Sequence, residues 1–562
     1  MSLKRTSARG GQTFMFGAVI LMVSNILVKA IGALFKIPLQ HLIMEEGMAY
    51  FQAAYNIYVS FYMISTAGIP VAISRMIATS NSAGNRKEVD KIFRIAYWVF
   101  FVVGALATLL MIAFSGFFAS KARLAGSEVA MIFIAPTLFF ICLSSAYRGY
   151  FQGLQNMVPT AISRVIESLG KFSIGLIAGW YFMSKGYPMH VVAAYVISGV
   201  TIGVIGATVY IAIFKRMFSD ADKESSECTM RVRSTSSLFR ELVIISIPIS
   251  LSSSIMGLTN VVDTMLVVGR LTDSMLAGIS DPAVLETAKI AAEKIAVKSY
   301  GTYAMPQTLF NMPTTLIYPF AISALPALAR YRSSGEHETA KSLMESTFRV
   351  SAIVALPCAL GMSAMARPIL SLIYAENSIS DKVTNIDLAT PCLMILGISV
   401  FFMGMIAVTN SVLQAYGLQN LTIISTVCGI VIKIIATYVL LGIPAVGLTG
   451  SAIGTALCYF AIMLLNVIFI ALKAGYFPGI RRTFLKPFFS AAICIVPCLL
   501  TYKALTGILG SKLSTIFSVG VAAVVYVVVL LLIRGMSESD IKMLPKSDKI
   551  IKILKKARLL SE

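Results

Sequence analysis

QGLQNMVPTAISRVIESLGK, residues Gln152 to Lys171, is written a second time as QAYGLQNLTIISTVCGIVIK, residues Gln414 to Lys433. Gln152/Gln414, Thr160/Thr422, Ser163/Ser425 and Lys171/Lys433 all lie 262 residues apart, while the shared Gly-Leu-Gln-Asn slips by two. Both copies set a lysine in a run apolar enough to lie in lipid, where a charge is costly and signals a pathway or a partner. The chain therefore reads as two related halves with buried basic groups.

Composition fixes the class around these stretches. Of 562 residues 57% are apolar and 13% charged, against about 25% charged in a soluble domain. The mean hydropathy is +0.82. This is the signature of an all-α polytopic membrane protein. The net charge of +21 does not imply nucleic acid here; in so apolar a chain, basic residues belong to cytoplasmic loops and anionic headgroups. The eight cysteines lack zinc-site or disulfide-framework spacing, and His41, His190 and His337 are scattered. No metal, cofactor or histidine-based catalytic centre is expected.

At about 20 apolar residues per span, fourteen transmembrane helices are predicted. The first runs from about Phe14 to Pro38, followed by 49–73, 93–118, 128–150, 158–182, 190–214, 241–268, 301–328, 349–373, 388–413, 420–441, 446–472, 484–506 and 513–534. The first follows Lys4, Arg5 and Arg9 like a secretory leader, but it is too long, lacks a clear cleavage site and contains Lys29 and Lys36. The N-terminus, 86–94, 215–240, 330–349, 473–486 and the lysine-rich tail are basic, and alternating spans put them all on one side. The positive-inside rule then makes both termini cytoplasmic, in a multi-pass protein of the cell membrane.

The duplication extends further. Pro70-Val-Ala-Ile-Ser74 matches Pro319-Phe-Ala-Ile-Ser323, Phe93-Arg94 matches Phe348-Arg349, and Ser198-Gly199 to Ile202-Gly203 matches Thr449-Gly450 to Ile453-Gly454. Six spans per half make the repeats parallel, with a central site expected between the lobes. The expected domains are an N-terminal lobe at 1–215, a cytoplasmic linker at 216–240, a C-terminal lobe at 241–473, a terminal helix pair at 484–534 and a basic cytoplasmic tail at 535–562. Gly199/Gly203 and Gly450/Gly454 are small-xxx-small pairs, read as close packing inside each lobe.

Intramembrane charge marks the candidate site. Lys29 and Lys36 are seven apart, near two helical turns, and so share a face. Arg164, Glu167 and Lys171 fall at i, i+3 and i+7, again one face, where Glu167 can pair with either base. Lys433 repeats Lys171, and Asp263 in the seventh span is expected to face the first. Arg75 and Arg367 lie near span ends, where snorkelling to headgroups competes with a substrate role. Lys29, Lys36, Arg75, Arg164, Lys171 and Lys433 are the candidate substrate-binding residues, with Glu167 and Asp263 the ion-coupling candidates. Positive groups in a weakly screened cavity attract an anionic head such as pyrophosphate.

The run Val28-Lys29 to Lys36-Ile-Pro-Leu39, then Tyr55-Asn56-Ile-Tyr58 and Gly68-Ile-Pro-Val-Ala-Ile-Ser-Arg75 with Gly84-Asn85, resembles the polysaccharide-exporter branch of the multidrug/oligosaccharidyl-lipid/polysaccharide exporter superfamily, which includes lipid II flippases. The resemblance implies two six-helix lobes plus a terminal pair. It also implies an alternating-access cycle carrying a polyprenyl-pyrophosphate-linked glycan, such as a lipid II-like cell-wall or sporulation-cortex precursor, to the outer leaflet. In lipid II flippases basic residues of the first span line the cavity; the matching positions are Lys29 and Lys36, lysines where arginine is frequent. The terminal pair would serve the lipid tail.

The expected activity is transport without covalent chemistry, with a lipid-linked anionic glycan and membrane lipids as partners. No GxxxxGK[ST] loop is present, which argues against direct ATP use. Two alternatives remain: a multidrug/cation antiporter of the same superfamily, which calls for an acidic cavity, and a membrane-embedded glycosyl- or acyltransferase, which calls for a histidine or paired carboxylates.

Overall fold

The computed structural model describes residues 14–66, 68–222, 232–277, 279, 281–380, 383–479, 481–533 and 535–536. Lys4, Arg5, Arg9, Cys228 and nearly all of the basic tail lie outside them. The described chain is almost wholly helical, as its apolar runs require, because in lipid a backbone must satisfy its own hydrogen bonds. It divides into two units, Met1–Met265 and Leu266–Glu562.

In the first unit α1 spans Phe14–Thr66, α2 Ile69–Ser82, α3 Arg86–Ala113, α4 Ser115–Ala122, α5 Ser127–Ile134, α6 Pro136–Gly153, α7 Val158–Ser184 and α8 Met189–Asp222; α9, Thr235–Leu276, runs across the division. α1 contains the first expected span and most of the second, whose last residues fall in α2, and is broken at Met44 (φ 52°, ψ −165°). No glycine or proline marks that residue, and the conformation is one that a side chain resists. Prolines open α2, α6 and α7, where a missing N–H costs nothing. Asn85 caps α3 by accepting from the Glu88 amide at 3.1 Å. The apolar core joins Ile73 and Met76 of α2, Ile92 and Phe100 of α3, and Ala146 and Phe151 of α6. The start of α9 is moored to α3: Arg233 pairs with Glu88 (2.9 Å) and Glu241 (2.6 Å), and Lys91 donates to the Arg233 carbonyl at 2.7 Å.

In the second unit α10 spans Pro282–Ser333, α11 His337–Ala364, α12 Ala366–Ile373, α13 Asn385–Ala415, α14 Gln419–Leu441, α15 Thr449–Ala474 and α16 Lys486–Leu532. A hairpin of β1 (Ser378–Ser380) and β2 (Val383–Thr384) precedes α13, whose first turn is closed by the Thr384/Asp387 capping box. Arg367 reaches Asp387 (2.5 Å) and Glu376 (3.3 Å). α16 holds the last two expected spans, broken at Gly510 (φ 73°). Nine helical stretches among the described residues are long and apolar enough to cross a membrane. Two of them, interrupted at Met44 and Gly510, cover two expected spans each, and α7 with its charges is not among the nine, so this criterion does not fix the number at fourteen.

Local geometry repeats in step with the sequence. Gln155 (φ 58°) and Gly417 (φ 72°), 262 residues apart, are both left-handed. The same helix-ending turn follows at each: the Asn156 amide donates to Phe151 and the Leu418 amide to Leu413, a Schellman-type closure. Gly84 and Gly335 (both φ 76°) likewise end α2 and α10 with matching bonds, Asn85 to Ser80 and Glu336 to Tyr331.

Candidate functional site

Lys36, Arg148, Arg164, Glu167 and Lys171 meet around α7, which lies against α1, α6 and α8. Its approach to α8 is set by glycine. A Cβ on Gly203 would meet the Glu167 carbonyl at 2.6 Å, one on Gly170 would meet Gly203 at 2.4 Å, and one on Gly199 would meet Gly175 at 2.5 Å. The small-xxx-small pair thus packs within its own unit, as expected, and does so directly behind Glu167 and Lys171. In the second unit Gly454 faces Thr437 (2.2 Å) and Gly450 faces Leu440 (2.9 Å), bringing α15 onto α14 in the same manner.

On the other side of α7 the charges are distributed. Arg148 of α6, 7% exposed, donates through Nη2 to Glu167 Oε2 at 2.8 Å and through Nε to Ser163 Oγ at 3.1 Å. The partner of Glu167 is therefore Arg148, rather than either base on its own helix. Arg164 donates to Asn25 Oδ1 of α1. Lys171 seats its ammonium over the Tyr55 ring (4.3 Å from its centroid) and the Phe35 ring (5.1 Å), an attraction of about 2 kcal/mol or more once desolvated. Lys36 donates to Gln52 Oε1 at 3.4 Å. Gln52 continues to Asn56 (3.0 Å), and Asn56 to Thr264 of α9 (3.1 Å). Beside this polar row runs an aromatic one, Phe51, Tyr55, Tyr58 and Tyr62, with successive centroids 5.9 to 6.1 Å apart.

Of the predicted residues, Lys36, Arg164, Glu167 and Lys171 thus belong to one set of neighbouring contacts among α1, α6 and α7. Lys29, on α1, and Arg75, on α2, are exposed. Asp263 is fully buried on α9 next to Thr264. Lys433 belongs to the second unit, 2% exposed on α14. There the repeat equivalent of Arg148 is Asn410, which joins a network of amides and hydroxyls: Asn466 of α15 donates to Asn410 (2.8 Å) and Thr409 (3.0 Å) and accepts from Ser425 (2.6 Å). Sequence reasoning missed Arg148. It ends the apolar run Pro136–Gly153 and so resembles a flanking residue; its place four residues before Gln152, opposite Asn410 in the duplication, was the available signal. Among the described residues no group of histidine, cysteine and carboxylate side chains could hold a metal ion.

A family model described as "Polysaccharide biosynthesis protein" matches residues 15–332, and one described as MatE matches 293–439. The chain is 25% identical over 500 residues to the lipid II flippase MurJ of Bacillus subtilis (strain 168), covering 85% of this chain and 87% of that one. It is 21% identical over 548 residues to stage V sporulation protein B of the same organism, covering 96% and 99%. Among solved structures it resembles lipid II flippase MurJ in an inward closed conformation, with a TM-score of 0.62 and 14% identity over 92% of this chain and 98% of that one.

Proposed function

We propose, for a chain that belongs to the polysaccharide biosynthesis protein family within the multidrug/oligosaccharidyl-lipid/polysaccharide exporter superfamily, that it flips a polyprenyl-pyrophosphate-linked glycan across the cytoplasmic membrane. That the protein is a membrane transporter rests on its relatives; the substrate is our reading. Its main support is the gathering of Lys36, Arg164 and Lys171 around α7 while the Glu167 carboxylate is paired with Arg148. Bases held in a low-dielectric setting by rings and amides attract a multiply charged head strongly. In the cycle we envisage, Lys36 and Lys171 hold the pyrophosphate during alternating access while the prenyl chain stays in lipid. Lys29, Arg75 and Lys433 are assigned to earlier or later stages of the passage, and Glu167 and Asp263 are the candidates for coupling to an ion.

The excess of bases favours an anionic cargo over the cationic drugs of the antiporter alternative, for which the MatE match at 293–439 speaks. The test is translocation of a fluorescent prenyl-pyrophosphate-linked sugar in proteoliposomes. Lys171→Ala, Lys36→Ala and Lys29→Ala are expected to slow it with folding intact; unchanged transport in all three, or extrusion of cationic dyes instead, would refute the reading.

A further inference from the structure

Glu167 and Lys171 are four residues apart on α7, the spacing at which a glutamate and a following lysine pair most readily on a helix. The carboxylate nevertheless turns away, to Arg148 Nη2 at 2.8 Å, and the lysine lies on the Tyr55 and Phe35 rings. Arg148 is itself fixed in place: its side chain is 7% exposed, and its Nε is tied to Ser163 Oγ, which in turn donates to the Thr160 carbonyl at 2.8 Å. The duplication provides an independent comparison. At the equivalent positions of the second repeat, Lys433 keeps the lysine and Ser425 the serine, but Gly429 replaces the glutamate and Asn410 the arginine. Where the acid before the lysine is missing, the arginine is missing too.

We infer that Arg148 is a positioning residue that draws the Glu167 carboxylate away from Lys171 and so leaves the Lys171 ammonium available to an anionic ligand. In a low-dielectric setting a carboxylate one turn away would otherwise neutralise the lysine. Aromatic faces hold the cation without cancelling its charge. The inference rests on the proposed pyrophosphate recognition and adds to it a residue that touches no substrate.

The experiment measures farnesyl pyrophosphate binding to the purified full-length protein in detergent by calorimetry, with farnesol as the uncharged control. Lys171→Ala is expected to weaken binding at least ~10-fold, equivalent to about 1.4 kcal/mol. Arg148→Gln should weaken it comparably, because Glu167 is released onto Lys171. Glu167→Gln and the Arg148→Gln/Glu167→Gln double variant should bind within about threefold of wild type, and Arg148→Lys should retain binding. A purely structural ion pair would make both single variants lose stability alike without this asymmetry in affinity. Wild-type protein binding no better than Lys171→Ala overturns the pyrophosphate reading and the inference together. Wild-type-like affinity in folded Arg148→Gln overturns the inference alone. If Arg148→Gln does not fold, the double variant decides: with no acid left to hold away it should bind normally, and a tenfold loss would make Arg148 a direct ligand and overturn the positioning role.

Discussion

Gly203→Ala tests whether the α7–α8 seam is what places the candidate site. The new Cβ would lie 2.6 Å from the Glu167 carbonyl oxygen and 3.0 Å from the Lys171 amide nitrogen, against an ordinary contact of 3.4 Å or more. Both obstacles are main chain, which has no rotamer to change. α8 must therefore retreat by about 0.8 Å, the shortfall between those contacts. Overpacking of this kind costs typically about 1–3 kcal/mol, while replacing a mid-helix glycine by alanine returns roughly 0.5–1 kcal/mol. Gly206→Ala separates these terms: one turn further along the same helix, its Cβ would meet only Ile166 Cγ2 at 3.7 Å. Thermal unfolding in detergent should thus show Gly206→Ala unchanged or slightly stabilised and Gly203→Ala about 1–3 kcal/mol below it. Farnesyl pyrophosphate affinity should fall with Gly203→Ala alone, because the displaced backbone belongs to Glu167 and Lys171. Equal stability and affinity in the two variants would refute the argument.

Other substitutions probe the repeat and the rim. Gln155→Gly relieves a left-handed non-glycine residue and should stabilise the protein by about 1 kcal/mol, whereas Gly417→Ala, its counterpart, should cost about 1–2 kcal/mol; paired unfolding measurements check the opposite signs. Asn466→Ala strips partners from Ser425, Asn410 and Thr409 at once and should destabilise by about 1–3 kcal/mol with little effect on pyrophosphate binding. Arg367→Ala removes half-exposed pairs to Asp387 and Glu376 and should cost under about 1 kcal/mol, less still at high salt. Accessibility of cysteines introduced at Ser334 and Asn377, in a cysteine-free background, should come from opposite sides of the membrane; labelling of both from one side would contradict the charge-derived orientation.

The helices were legible because lipid leaves the backbone few options, and the order of the expected spans is the order of the helices. Their ends were less so. α10 starts at Pro282 rather than 301, since Glu286, Lys289, Glu293, Lys294 and Lys298 make its first turns too polar to register as a span although nothing in them breaks a helix. The fracture at Met44 was invisible, because no glycine or proline announces it. The repeat was readable from identities, and the slipped Gly-Leu-Gln-Asn did not mislead: backbone handedness at Gln155 and Gly417 follows the 262-residue register. The site was half legible. Helical spacing placed Arg164, Glu167 and Lys171 together, but it could not assign partners, because Arg148, Asn25, Tyr55 and Phe35 come from other helices and the pairing is decided by tertiary proximity.

Where main chain lies on main chain, as at Gly170, Gly199 and Gly203, there are no interlocking side chains to disengage and re-engage one notch along. Sliding helices proceed by such changes of rotamer, so α7 and α8 should travel as one plank, carrying Glu167 and Lys171 at a fixed spacing. Any flexing of the first unit is then left to the rest of the chain, where the helical backbone of α1 is interrupted at Met44.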